Sequence, residues 1–329
     1  MAFAWRIPDQ AGIIGRVNTA IRLSSIRKQF GKKVAVRDLD LEVPAGSIYG
    51  LIGPNGAGKT TSIRIILDII GPDSGEVEVL GSRDVESVRE RVGYLPEERG
   101  LYAKMSVIDH LVFFAELKGL HRREARSRAM EGLELMSLAD RAADKVETLS
   151  KGMAQKVQFL ATTLHRPDLL ILDEPFSGLD PINVDLFKRI LLERHREGTT
   201  VLFSTHMIED AERLCERVCM IAGATKVLDG RIADVKSAAG RNEVVIAYDG
   251  DGSFLRAPGL VERVADHGQY VEVRLVDRAD PQELLRLAVE SGARLSRFEL
   301  AEPSLREIFI DKATQAGLSH EDEFRDAAA

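Results

Sequence analysis

Gly53-Pro54-Asn55-Gly56-Ala57-Gly58-Lys59-Thr60 has the pattern G-x-x-x-x-G-K-[ST]. An apolar run at 48–52 precedes it and a helical run at 61–70 follows, the strand-then-helix setting the pattern needs. Glycines let backbone N–H groups curl around a β-phosphate with no Cβ in the way. The start of the helix adds partial positive charge at the same place. Lys59 can reach β- and γ-phosphates, and the Thr60 hydroxyl can coordinate Mg²⁺. Two glycines, a lysine and a Ser/Thr at these places occur by chance in roughly one chain of this length in a hundred. A glycine-rich turn without a ligand is the alternative. The chemistry favours Asn55, Gly56, Ala57, Gly58, Lys59, Thr60 and Thr61 wrapping the triphosphate of a nucleotide.

A second centre lies in Leu169-Leu170-Ile171-Leu172-Asp173-Glu174-Pro175, an apolar run that ends in two acids. Ligands of open α/β sheets gather at the C-terminal ends of strands. Asp173 there can hold Mg²⁺ directly or through water. Glu174 can orient or deprotonate a water aimed at the γ-phosphate. A strand-end acid that merely caps a loop is the commoner case; the phosphate loop tips the pair towards the nucleotide. His206 follows the apolar run at 201–204 and can contact the γ-phosphate, although a lone His after a strand is more often a surface or hydrogen-bonded residue.

These side chains need a scaffold. The chain has 329 residues, with 45 Lys and Arg, 52 Asp and Glu, and a formal charge of −7. With 44% hydrophobic and 29% charged residues it is neither a disordered nor a collagen-like chain. The acidic balance argues against a general nucleic-acid coat. No hydrophobic run exceeds five residues, so no spanning helix is expected, and residues 1–20 lack a signal-peptide pattern. Runs at 47–52, 169–172 and 200–204 read as strands of a sheet covered on both faces. Residues 106–138 read as a helical insertion, opened by an S-x-x-D cap at Ser106 and Asp109, with Gly119 available to end its first helix. Cys215 and Cys219, four apart, read as reduced core thiols of one helix.

Composition shifts near 238–240. Val271, Val273 and Leu275 alternate with Glu272 and Arg274, a half-exposed strand. Asp280-Pro281-Gln282-Glu283 opens a helix with Leu284, Leu287 and Ala288 on one face, and a strand (294–300) and a helix (304–313) follow. The expected organisation is an N-terminal extension at 1–20, an α/β domain at 21–236 with a helical subdomain at about 100–150, a small α+β domain at 240–313, and a frayed tail at 314–329. There is no internal repeat.

The phosphate loop, Leu149-Ser150-Lys151-Gly152-Met153, Asp173-Glu174, Ser177-Gly178-Leu179-Asp180 and His206 stand in the order and spacing of the ATPase subunit of ABC transporters, over roughly residues 21–235. The chain resembles that family. The resemblance implies a P-loop ABC ATPase domain with a helical subdomain. Residues 149–153 resemble the signature loop, usually L-S-G-G-Q; Lys151 and Met153 depart from it, and the L-S-K-G-M form resembles the exporter branch. In the family Ser150 and Gly152 reach ATP held by the other subunit; Ser150 can also N-cap the next helix. With one phosphate loop and one signature per chain, a homodimer closing over two ATP molecules is implied. Phe30 matches the aromatic that stacks on adenine, and a core Phe at a strand end is the alternative. Asp180 resembles the acid that links the two sites, and a turn Asp before Pro181 is the alternative. Glu97, in Gly93-Tyr94-Leu95-Pro96-Glu97, stands where most members place a metal-contacting Gln. A carboxylate there binds Mg²⁺ more strongly but repels the γ-phosphate. Residues 95–102 resemble the sodium- and drug-export ATPases, as does the small C-terminal unit from Glu302-Pro303-Ser304-Leu305.

The resemblance implies the cytoplasmic motor of an exporter, peripheral on the membrane, driving a separate multi-span permease. Catalysis would fall to Glu174, His206 and Lys59, and Mg²⁺ to Thr60, Asp173 and Glu97. The family also implies that the helical insertion and residues 97–106 meet the permease, although a cluster such as Val112, Phe113 and Phe114 there is more often core than interface. The alternative is a soluble ABC ATPase serving ribosomes or nucleic acid. Members of those kinds usually carry two ATPase halves or long coiled coils, and this chain has one phosphate loop and no heptad run.

Overall fold

A computed structural model of the chain describes residues 18–98, 100–239, 243–276, 279–301 and 303–316. The first elements are β1 (Thr19–Phe30), β2 (Lys33–Pro44), β3 (Ile48–Ile52), α1 (Lys59–Ile66), β4 (Ser74–Val79) and β5 (Val92–Leu95). Next come α2 (Val107–Leu117), α3 (Arg122–Leu135), α4 (Lys151–Thr163), β6 (Leu169–Asp173), α5 (Pro181–Arg196) and β7 (Thr200–Thr205). Then follow α6 (Ile208–Leu214), β8 (Arg217–Ala222), β9 (Thr225–Arg231), α7 (Ile232–Ala239) and β10 (Glu243–Asp249). The last are β11 (Val261–Asp266), β12 (Val271–Leu275), α8 (Pro281–Glu290), β13 (Arg294–Ala301) and α9 (Leu305–Gln315).

These elements form two compact units, residues 1–48 with 60–204 and residues 49–59 with 205–329. The division does not follow the boundary expected near 240, because residues 205–239 group with the C-terminal strands and helices. Most of the expected extension and tail lie outside the described residues. β1 begins at Thr19, and α9 runs through Gln315.

In the first unit β5, β6 and β7 run parallel in that order. Every residue of β6 and β7 is buried, as unalternating apolar runs require. A separate antiparallel sheet has the order β2-β1-β4. The helical insertion begins as its cap foretold: the Ser106 hydroxyl accepts the Asp109 amide at 3.1 Å. Gly119, at φ +85°, takes the left-handed conformation that follows the end of α2. The apolar triplet of α2 divides: Val112 is buried, whereas Phe113 is exposed and meets Tyr102 edge-on at 5.7 Å between ring centres.

Two histidines of this unit are held neutral. Burial lowers His110 to about 4, and burial with the nearby Lys118 charge does the same to His165. Between 6.5 and 4 the unfolded chain binds these protons and the folded chain does not. Their contribution to stability is therefore present above pH 6.5 and lost as pH falls towards 4. Melting temperature should drop across that window, and His110→Leu should flatten the dependence.

In the second unit β3 pairs with β8 in parallel and β8 with β9 antiparallel. The two cysteines do not share a helix: Cys215 closes α6 and Cys219 lies within β8. Both are free thiols, and burial pushes both thiol pKa values up, so they are inert core groups. The C-terminal sheet has the order β11-β12-β10-β13. Burial alternates along β12 as its sequence demanded. Asp280 caps α8 by accepting the Gln282 amide at 2.9 Å, and Leu284 and Ala288 enter a core with Val244, Ile246 and Val273.

Candidate functional site

The phosphate loop leaves β3 at Gly53. A Cβ there would stand 2.2 Å from the Ile221 carbonyl oxygen, so only glycine fits between the loop and β8. Gly56 and Gly58 take φ of +80° and +110°, which L side chains rarely adopt. The Ala57 amide donates to the Pro54 carbonyl at 3.2 Å and closes the turn. Lys59 opens α1, and its ammonium donates to the Gly53 carbonyl at 2.7 Å and the Pro54 carbonyl at 3.3 Å. It is 6% exposed. A buried cation is therefore tied to the loop's own carbonyls at the start of α1, where the helix N-terminus adds partial positive charge suited to an anion. Asn55 and Gly56 are exposed, and Thr60 and Thr61 are half-buried in the first turn of α1. Gly53→Ala should cost about 1–3 kcal/mol or more by overpacking, read as a lower melting temperature together with weaker nucleotide binding.

Asp173 ends β6 and is 1% exposed. The Ser204 hydroxyl of β7 donates to its Oδ1, while Oδ2 is buried with no hydrogen-bond partner among the described residues. Glu174, 9% exposed, has φ +49°, a left-handed backbone conformation costing about 1–3 kcal/mol in a non-glycine residue. Its amide donates to both the carbonyl and the hydroxyl of Ser204, each at 3.2 Å. Ser204 thus holds both acids, a role that sequence reading missed. Its only signal was a hydroxyl at the end of a neighbouring strand. Tyr94 of β5 hydrogen-bonds to Arg64, and burial together with the Asp173 charge pushes its hydroxyl pKa up.

The other candidates are placed as follows. Ser150 caps α4, its hydroxyl accepting the Met153 amide at 3.3 Å. Gly152 has open space where a Cβ would be. Asp180 caps α5 with Pro181 in its first turn, and the Asn183 amide lowers its carboxyl pKa. Phe30 ends β1 half-exposed, 5.5 Å from the Lys28 ammonium, rather than in a core. Glu97 is exposed after β5. The segment carrying it is pinned by Gln158 of α4, whose side-chain amide donates to the Pro96 and Glu98 carbonyls at 3.4 and 3.2 Å. Gln155 similarly donates to the Pro175 carbonyl at 2.9 Å. Neither glutamine was found from sequence. His206 is half-buried between Thr205 and the start of α6.

These residues fit a hard cation bound with its nucleotide. The described residues hold no cluster of three or more His, Cys, Asp or Glu side chains able to grip a metal ion unaided. The buried, unpartnered Asp173 Oδ2 and the Thr60 hydroxyl are oxygen donors of the kind Mg²⁺ takes alongside phosphates and water.

The ABC transporter family matches residues 36–177, and the C-terminal domain of DrrA1-3-like ATP-binding proteins matches 230–313. YhaQ of Bacillus subtilis (strain 168), an uncharacterised ABC transporter ATP-binding protein, is 40% identical over 292 residues, covering 89% of this chain and 98% of that protein. The chain belongs to the ABC transporter ATP-binding proteins. It is an ATP hydrolase of mixed α/β fold with a C-terminal domain of that family. The Nod factor export ATP-binding protein I of Rhizobium meliloti (strain 1021) is 32% identical over 326 residues, covering 94% of this chain and 93% of that protein. A solved ATP-binding subunit of an ABC transporter superposes with TM-score 0.64 at 30% identity, covering 68% of this chain and 94% of that chain. No described helix is long and apolar enough to cross a membrane.

Proposed function

We propose that this chain is the motor of an exporter: two copies close over two Mg²⁺·ATP, drive a separate multi-span permease, then hydrolyse and reopen. Residues 21–236 would form the motor and 240–313 its accessory domain. The observation that carries the reading is the Asp173-Glu174 pair, buried at a strand end with one Asp173 oxygen left for a ligand. In this reading Asn55 through Thr61 wrap the triphosphate, and Phe30 stacks on adenine. Lys59 neutralises charge developing on the γ-phosphate, and His206 contacts the same group. Glu174 orients or deprotonates the attacking water. Mg²⁺, when bound, supplies further neutralisation, held by Thr60 and Asp173 with Glu97 within the same segment of roles. Ser150, Gly152 and Asp180 serve the ATP of the partner copy.

Export is supported by the similarity to the Nod factor export ATP-binding protein of Rhizobium meliloti and by the C-terminal match. The exposed rings of Tyr102 and Phe113 are the surface we assign to the permease, in a reading that has the chain peripheral on the cytoplasmic face of the membrane. Calorimetry with Mg²⁺·ATP, together with light scattering, should show micromolar-range binding and ATP-dependent dimers. Affinity purification from membranes should retain a multi-span protein. Retention of ribosomes or nucleic acid in its place would overturn the transport reading.

A further inference from the structure

His206 is followed, after Met207, by α6, a helix of seven residues. Helices this short do not hold themselves together in water and depend on what packs against them. The cap residue Met207 makes no side-chain hydrogen bond to α6. The apolar face of α6 buries Ile208, Ala211 and Leu214. Ala211 faces Gly50 of β3, and α9 packs on α6, on α7 and on β9, with Leu305, Ile308 and Phe309 buried. Glu209 and Glu212, three residues apart, share one side of α6. Arg306 of α9 lies 3.7 Å from the Glu209 carboxylate. Lys236 of α7 pairs with Glu212, and both of those side chains are less than a quarter exposed. Arg306 from α9 and Lys236 from α7 therefore grip the helix that follows the histidine loop.

We propose that Arg306 and Lys236 are positioning residues for His206, through which residues 230–313, the stretch that matches the DrrA1-3-like C-terminal domain, set the rate of ATP hydrolysis. This rests on the reading of His206 as the γ-phosphate contact. Neither cation touches the nucleotide in this account. They act by fixing where α6 begins, and so where His206 stands when ATP is bound. Loosening them lowers turnover without weakening ATP binding, because the phosphate loop makes the binding contacts.

The test is ATP hydrolysis by the full-length chain with Mg²⁺·ATP. An ion pair of this kind shifts an equilibrium by about two- to fivefold. Reversing both, as Lys236→Glu with Arg306→Glu, should lower kcat about five- to tenfold and leave KM within about twofold. Adding Glu209→Arg and Glu212→Lys should restore most of kcat, and Arg306→Lys alone should keep the parental rate. An unchanged kcat in the double reversal, a rise confined to KM, or a loss that the reciprocal changes do not rescue would each overturn the proposal. His206→Ala, assayed in parallel, separates the two ideas. Parental turnover in that variant defeats the histidine reading, and the proposal with it. Lost turnover in His206→Ala beside normal turnover in the charge reversals defeats the proposal alone.

Discussion

Glu174→Gln binds ATP as tightly as the parent and hydrolyses it about 10²- to 10⁴-fold more slowly. That is the span a positioned general base contributes. The substitution is nearly isosteric. A glutamine bears the left-handed backbone at φ +49° no worse than a glutamate does, and the amide bonds to Ser204 are untouched because they come from the main chain. What changes is the one property that matters for a base: an amide oxygen does not accept a proton from water at neutral pH. The nucleotide should therefore stay bound, and the dimer should persist. Phosphate release measures the first effect, and size-exclusion chromatography with Mg²⁺·ATP, where the variant elutes as a dimer, measures the second. Turnover at the parental rate would remove Glu174 from the role of base.

Lys59→Ala has the other large effect. The ammonium is buried and tied to the Gly53 and Pro54 carbonyls, so it is already held at the mouth of the loop. Hydrogen bonds to charged groups contribute about 1.5–3 kcal/mol each. Losing two such bonds to phosphate oxygens should weaken ATP binding by at least about 100-fold, with hydrolysis lost in step. The loop also loses its own closing contacts, so a small fall in melting temperature should accompany the change. Lys59→Arg should not rescue binding, because a planar fork does not replace a compact ammonium between two carbonyls. Titration calorimetry reads the affinity directly. An unchanged dissociation constant would mean that the loop does not enclose the triphosphate.

Much of the architecture was readable because it is local. The caps at Ser106, Ser150 and Asp280 each satisfy a backbone amide two or three residues away, so residue type and spacing announce them. The burial of residues 169–172 in β6 and of residues 201–203 in β7 follows from unbroken apolar runs. The loop glycines, Lys59 and the acids that end β6 also declare themselves, since a phosphate-binding turn has few chemical solutions. The cysteines misled for the opposite reason. A four-residue spacing fits a helix, but Cys219 sits where β8 pairs with β3 and β9, and that pairing overrides local pattern.

Sequence alone determined which residues carry the chemistry to grip a triphosphate and where capped helices such as α2, α4 and α8 begin, because those choices are made within a few bonds. Only the tertiary structure decided that Ser204 clasps Asp173 across a strand pair, and that Gln158 pins a loop sixty residues earlier in the chain. Tertiary packing also set α9 against α6. Such contacts depend on strand register and on which faces are buried together. Both are properties of the whole packed chain, and no short stretch of it encodes them.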